Sequence, residues 1–241
     1  VTFGLHVHIG VDSGDKAIMV CDRMLHYIPL LLALTANSPF WEGRSTGLQS
    51  NRSKIMEGLP TAGLPYQMRN WSEYVWLVKH LRETGFINTI REIWWDIRPH
   101  HYFGTVELRV CDVPPCLDHV LALTALVQCL VHTISNEIDE GTFLTEYHPM
   151  MVEQNKWRAT RYGADAALVD YRDFHQRWVP EIVEELVTKL TPAAIELNCL
   201  AELQSVKKLP AASGARNQVQ IYQATGSRRK VVEKLLERPA Y

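Results

Sequence analysis

The sequence predicts an α+β fold, on three observations. Residues 3–11 and 105–111 each alternate apolar and polar side chains with the period of a half-buried strand. Longer stretches between and beyond them space their apolar residues as helices do. With 241 residues and 46% hydrophobic composition, the chain can also bury a large core.

In the first strand, "FGLHVHIGV", Leu5, Val7 and Ile9 point one way; Gly4, His6, His8 and Gly10 point the other. "DSGD" then turns the chain, with Asp15 expected to cap a helix running from Lys16 to about Ala36. Pro29 inside that helix predicts a kink or break. "NSPFWEGRSTGLQSNRSK" reads as a long polar loop, a common carrier of function. "SEYVWLVKHLRETG" reads as an amphipathic helix ending at Gly85. After "WWDIRPHHYFG" the second strand, "TVELRVC", turns Val106, Leu108 and Val110 to one face and Thr105, Glu107, Arg109 and Cys111 to the other. "LDHVLALTALVQCLVHTISNEID" is a helix of about six turns. "NKWRATRYG" reads as a basic, aromatic connector, and the chain from "VPEIVEELV" to its end reads as helical. Trp41, Trp71, Trp94 and Trp95 are expected to pack in the core or under loops.

Bulk properties narrow the function. Twenty-five basic against 27 acidic residues give a net charge of -2, without the basic surplus of a sequence-independent nucleic-acid binder. No uninterrupted apolar run reaches the roughly 18 residues of a bilayer span, so neither membrane nor nucleic acid is an expected partner. The five cysteines (Cys21, Cys111, Cys116, Cys129 and Cys199) show no metal-ligand or CxxC spacing. A reducing cytoplasm is the expected location. Val1 already lies in a strand-like run, with no initiator methionine or leader before it. We therefore expect a fragment whose N-terminal part is missing.

Two constellations carry chemistry. His6 and His8 share a strand face about 6.6 Å apart, at ~3.3 Å per residue. Neutral imidazoles there could ligate a metal, and protonated ones could donate to phosphate. Two histidines in a structural hydrogen-bond network would give the same spacing, which does not choose between them. In "DIRPHHYFGTVELRVCD", Glu107 and Arg109 project side by side, with Arg98, His100 and His101 held nearby by Pro99 and Gly104. The Glu–Arg pair alone could be a plain ion pair. Several fixed cations beside a carboxylate suit an anionic substrate bound through a hard metal. Arg52, Arg158 and Arg161 are further arginines in segments read as loops, where a solvated surface role competes with substrate binding. Phosphate-loop, dinucleotide-binding, zincin and nucleophile-elbow motifs are absent from the sequence.

These stretches together resemble a known family. "FGLHVHIGV", "LLLALTANSPFWEGRSTG", "SNRSKIMEGLPTAGLP", "WWDIRPHHYFGTVELRVCD" and "NKWRATRYG" are similar, in that order, to motifs of the bacterial carboxylate–amine ligases related to type 2 glutamate–cysteine ligase. More distantly, "GLHVHIG" and "VELRVCDVP" resemble the His-x-His and Glu-x-Arg strands of glutamine synthetase, whose catalytic fold that family shares. The resemblance implies a curved, mainly antiparallel sheet with flanking helices and an active site on its concave polar face. Residues 1–241 would be the C-terminal part of a single ligase catalytic domain, lacking N-terminal strands. It implies that ATP phosphorylates the side-chain carboxylate of glutamate or a similar acid, and that an amine such as that of cysteine then displaces phosphate.

By the same resemblance His6 and Glu107 would ligate Mg²⁺ or Mn²⁺, and His8 would contact nucleotide phosphate or a second metal. Arg98 would stabilise the transferring phosphoryl group and Arg109 would hold the acid. Arg52 and Arg158 would contribute to substrate or ATP binding. Removing Glu107 would impair turnover far more than folding. The partners would be ATP and amino acids, with a homodimer suggested by aromatic and apolar content. The family's Glu-x-Glu metal-binding strand has no counterpart here, since "VEELV" lies in a helical segment. That leaves two other readings open: a catalytically inactive relative serving as a ligand-binding or interaction module, and a metal-dependent hydrolase using His6 and His8.

Overall fold

The computed structural model describes residues 2–142 and 148–237. Val1 and residues 238–241, included above in the first strand and the terminal helical reading, lie outside the described residues. The described chain runs β1 (Val7–Gly10), α1 (Gly14–Met24), α2 (Ile28–Thr35), β2 (Phe40–Trp41), β3 (Arg44–Ser45), α3 (Asn51–Glu57) and α4 (Trp71–Glu83). It continues through β4 (Ile97–His100), β5 (Thr105–Leu108), α5 (Leu117–Asp139), α6 (Pro149–Tyr162), β6 (Ala167–Val169) and β7 (Gln176–Trp178). Helices α7 (Val179–Glu196), α8 (Leu200–Ser205), α9 (Gly214–Thr225) and α10 (Arg228–Leu236) complete it. The expected mixture of helices and antiparallel strands is what forms, with helices predominating.

The central sheet is antiparallel, in the order β1-β5-β4. Its register aligns Val7, Leu108 and Ile97 across one face, and Ile9, Val106 and Pro99 one pleat further along. That face is the apolar one. Ile97, Val106 and Leu108 are buried with residues of α1, α2, α5 and α7 in the main core, where Leu31, Leu123, Leu126 and Val187 are fully enclosed. A smaller core under α4 gathers Ile18, Tyr74, Ile87, Ile93 and Trp95. The three-strand sheet thus turns its other face outward, and that face is polar.

Local corrections follow from the structure. The first helix breaks where Pro29 predicted it should: α1 and α2 meet at 65°, with Pro29 in the first turn of α2, where its missing N–H costs nothing. Ser13, not Asp15, caps α1, accepting from the Lys16 amide at 3.2 Å. Asp15 instead accepts from the Trp71 amide at 2.8 Å and ties α4 to α1. The long polar stretch after Asn37 contains the β2–β3 hairpin and α3, so it is not one loop. At the hairpin tip Glu42 and Gly43 both take positive φ, 46° and 74°, the geometry of a tight two-residue turn. Trp95 is buried as expected, but Trp41, on that hairpin, is 43% exposed.

"NKWRATRYG" is not a connector but the second half of α6. Val152, Lys156 and Ala159 recur at helical spacing on its buried face. Lysine at a core position hid that pattern. β4 escaped the strand reading because Pro99 interrupts it. Proline is tolerated there because, among the described residues, β4 is an edge strand paired only to β5. α5 spans 23 residues and has the length and composition of a membrane span, although no uninterrupted apolar run predicted one. Half of its apolar window is buried in this fold, where it packs against α1, α7, α8 and β1.

Candidate functional site

The polar face is organised by Glu107. The register sets His8 opposite it on β1 and Arg98 opposite it on β4, so three strands deliver three chemically different groups to one row. Arg98 Nε donates to Glu107 Oε2 at 2.8 Å. Arg109 Nη1 donates to the other oxygen, Oε1. His6 Nδ1 lies 3.2 Å and His8 Nε2 3.7 Å from the same Oε1. Glu107 is only 3% exposed, and Arg98 5%.

Burial alone would raise the Glu107 carboxyl. Hydrogen bonds from His6 and Arg98, with the charges of Arg109 and Arg98, outweigh it and hold the group well below the usual carboxylate range. Glu107 is therefore a permanent anion, yet it is outnumbered by guanidinium groups. The face carries a surplus of fixed positive charge, which suits an anionic ligand. Burial also lowers the His8 pKa, and the neighbouring His100, His6 and Arg98 add to this against the pull of Glu107. Its Nδ1 pairs with Thr105 Oγ1 at 3.0 Å.

Arg98 is further held by the Ile90 and Ile93 carbonyls, at 2.9 and 2.5 Å from Nη1. Beyond Arg98, His100 stacks face to face on Phe103 with centroids 4.5 Å apart, and His8 meets Phe103 edge-on. His101 is exposed at the tip of the β4–β5 hairpin, where Gly104 takes a φ of 62°.

Arg52 reaches the end of β5 from α3. Its Nη1 donates to the Val110 carbonyl and its Nη2 to the Arg109 carbonyl, both at 3.0 Å. Gly4 makes room for it: a Cβ at position 4 would lie 2.2 Å from Arg52 Nη2. Behind Arg52 is buried Asp112, which accepts from the Asn37 amide at 2.9 Å and from the Ser38 and Ser50 hydroxyls at 2.7 and 2.9 Å. Arg158 lies elsewhere, donating to the Ala167 carbonyl of β6 at 2.9 Å. Arg161 lies in the last turn of α6, against Gly47.

The structure thus brings His6, His8, Arg98, Glu107 and Arg109 together, sets Arg52 behind Arg109, and leaves Arg158 on another element. Sequence reading missed Asp96, Asp112, Thr105 and Lys156. Asp112 follows directly on the second strand, and Thr105 already shared the polar face by alternation. Nothing local marks Lys156 as buried.

As a metal site the cluster is incomplete. Among the described residues, no group of three or more His, Cys, Asp or Glu is arranged to hold a metal ion. Both Glu107 oxygens already accept from arginine, and Mg²⁺ asks for about six oxygen donors. The residues present do not fit the metal by themselves. Glu107 is moreover the buried counter-ion of two arginines. Its removal should therefore weaken folding, a cost that the expectation of an effect mainly on turnover did not include.

The family model of glutamate–cysteine ligase family 2 matches residues 1–237. A relative from Gloeobacter violaceus, provisionally named glutamate–cysteine ligase 2, is 45% identical over 234 residues, covering 97% of this chain and 63% of its own length. A similarly named relative from Frankia alni is 46% identical over 238 residues, covering 98% of this chain and 62% of its own. One from Mycobacterium tuberculosis is 40% identical over 237 residues, covering 97% and 63%. The chain thus spans under two thirds of the length of these relatives. Among solved structures, the glutamate–cysteine ligase of Francisella tularensis in complex with AMP matches with a TM-score of 0.61. That match covers 96% of this chain and 60% of the other at 14% identity, a likeness of fold.

Proposed function

The chain belongs to glutamate–cysteine ligase family 2, and on that premise we propose that it carries part of the catalytic site of an ATP-dependent carboxylate–amine ligase. The observation that carries the proposal is the single buried carboxylate of Glu107, gripped by Arg98 and Arg109 beside His6 and His8 on one sheet face. In the proposed reaction an oxygen of the glutamate side-chain carboxylate attacks the γ-phosphorus of ATP. The bond from that phosphorus to the bridging oxygen breaks, giving an acyl phosphate and ADP. The amine nitrogen of an acceptor such as cysteine then attacks the acyl carbon. Phosphate departs, and the ammonium proton is lost to solvent.

Arg109 is the candidate for holding the acid. It is the less committed of the two arginines, with its side chain 13% exposed against 6% for Arg98. Arg98, fixed by Glu107 and two carbonyls, would present a rigid charge to the transferring phosphoryl group, a role in which pre-organisation matters more than mobility. His8, steadied by Thr105, would face the phosphates. The AMP bound by the Francisella ligase supports nucleotide as the second substrate. With both Glu107 oxygens taken by arginine, His6 and Glu107 would contribute to a Mg²⁺ or Mn²⁺ site only if other donors completed it, and no step above passes through a metal. A cytoplasmic location is supported by five cysteines present as free thiols.

The test is ADP release by the intact protein. ADP that appears only with ATP, glutamate and an amine together is the expected result. No ADP under any amine would overturn the reading and leave a binding role. Phosphate-ester hydrolysis without ATP would point instead to a hydrolase.

A further inference from the structure

The Arg109–Val110 backbone, a bulge where the β4–β5 ladder ends, is held by both its amides and its carbonyls. The Arg109 and Val110 amides both donate to one acceptor, the Asp96 carbonyl, at 2.7 and 3.1 Å. The Arg109 and Val110 carbonyls both accept from one donor, the Arg52 guanidinium. Four backbone groups at the point where β5 ends are thus satisfied by two residues from elsewhere in the chain. The side chain that leaves this clamp is Arg109.

Each jaw of the clamp is itself anchored. The Asp96 amide donates to the Gly63 carbonyl at 2.7 Å, and its carboxylate meets Lys156 Nζ at 2.5 Å. Lys156, on α6 and only 4% exposed, also binds Glu57 Oε1 at 2.8 Å. Glu57 shares its other oxygen with Lys54 at 2.6 Å. Glu57 and Arg52 lie on the same short helix, α3, so that helix reaches the end of β5 twice: through Arg52 directly, and through Glu57, Lys156 and Asp96.

A buried lysine is a poor source of net stability, because desolvating its charge offsets most of what its partners return. An apolar side chain would fill the same space at lower cost. Buried ion pairs are better at fixing one arrangement against its alternatives. We infer that Lys156 and Arg52 are positioning residues: from opposite sides they fix the Arg109–Val110 backbone and so aim the Arg109 guanidinium at the polar face. The consequence for catalysis rests on the reading of Arg109 as the holder of the acid substrate.

The test combines amide hydrogen exchange with steady-state kinetics in the intact protein. Three variants serve: Lys156→Met, Lys156→Arg, and the charge-balanced pair Asp96→Asn with Lys156→Met. The pair leaves Glu57 with Lys54, so it carries the test if the single Lys156→Met change does not fold. Exchange at the Arg109 and Val110 amides should accelerate about tenfold, and KM for glutamate should rise about tenfold with KM for ATP within about twofold, as expected when a substrate-holding group is misplaced. Lys156→Arg should restore both. Wild-type exchange at those two amides in a folded variant would overturn the positioning role. So would faster exchange with an unchanged KM for glutamate. The exchange measurement needs no turnover, so a wild-type protein that releases no ADP would sink the ligase reading and leave the clamp still tested.

Discussion

Arg98 and Glu107 face each other across β4 and β5, Nε to Oε2 at 2.8 Å, each at most 5% exposed. At that depth neither charge can turn to water, so the pair holds the sheet's polar face together as much as it prepares that face for chemistry.

Glu107→Gln should therefore destabilise the protein by roughly 3 kcal/mol, because Arg98 would be left buried without a counter-charge. Arg98→Met should cost less, since Glu107 keeps Arg109. The two changes combined should cost less than their sum by at least about 0.5 kcal/mol, the signature of contacting residues. Urea denaturation of the four proteins gives the coupling; strict additivity would show that the pair does not act as a unit.

Acid should weaken the fold through His26, a half-buried imidazole that resists protonation. Burial drives the His26 pKa down from 6.5 to about 3, with Asp170 opposing it. The folded state thus binds the proton later than the unfolded state does. The stability His26 contributes is present above pH 6.5 and is lost as pH falls toward 3. Denaturation midpoints between pH 7 and pH 4 should fall with a slope that His26→Phe flattens. An identical slope in that variant would remove His26 from the account.

Asp22 should act in the opposite sense. Burial raises its pKa from 3.8 to about 7, while the Met68 amide holds it down. The folded state therefore prefers the protonated acid, and this preference is lost as pH rises from about 4 to about 7. Asn keeps an acceptor for the Met68 amide without the charge. Asp22→Asn should stabilise the protein by roughly 1–2 kcal/mol at pH 7 and have little effect at pH 4. Calorimetric melting at the two pH values decides it.

The two glycines of β1 and its approach should respond differently. A methyl at Gly4 would strike Arg52, which two carbonyls hold in place. Gly4→Ala should cost on the order of 1–3 kcal/mol, in the range of core overpacking. No atom lies within 4 Å of a Cβ built at Gly10, so Gly10→Ala should stay within about 0.5 kcal/mol of wild type. Equal losses in both variants, by thermal melting, would contradict the close packing of Arg52 on Gly4.

Much of this arrangement was legible before folding. The period of two in "LHVHI" and "TVELRV" assigned each side chain to a face, because successive residues in a strand must point opposite ways. It therefore placed His6, His8, Glu107 and Arg109 on polar faces without any knowledge of pairing. "IRPH" carried the same signal, with Ile97 and Pro99 inward and Arg98 and His100 outward. Proline disguised a strand that only an edge position permits. α5 was legible from end to end because its apolar spacing runs unbroken for 23 residues.

The sequence by itself determined which residues could share a surface. Alternation and helical spacing are local properties of the backbone, and they need no partner. Only the tertiary structure decided that His8 and Arg98 flank Glu107, since register is fixed by how three distant strands bury their apolar faces together. It alone brought Lys156 to Asp96 and Arg52 to the end of β5. Those contacts join residues 60 and 57 positions apart in the chain. No local pattern marks a buried charge whose counter-ion arrives from another element.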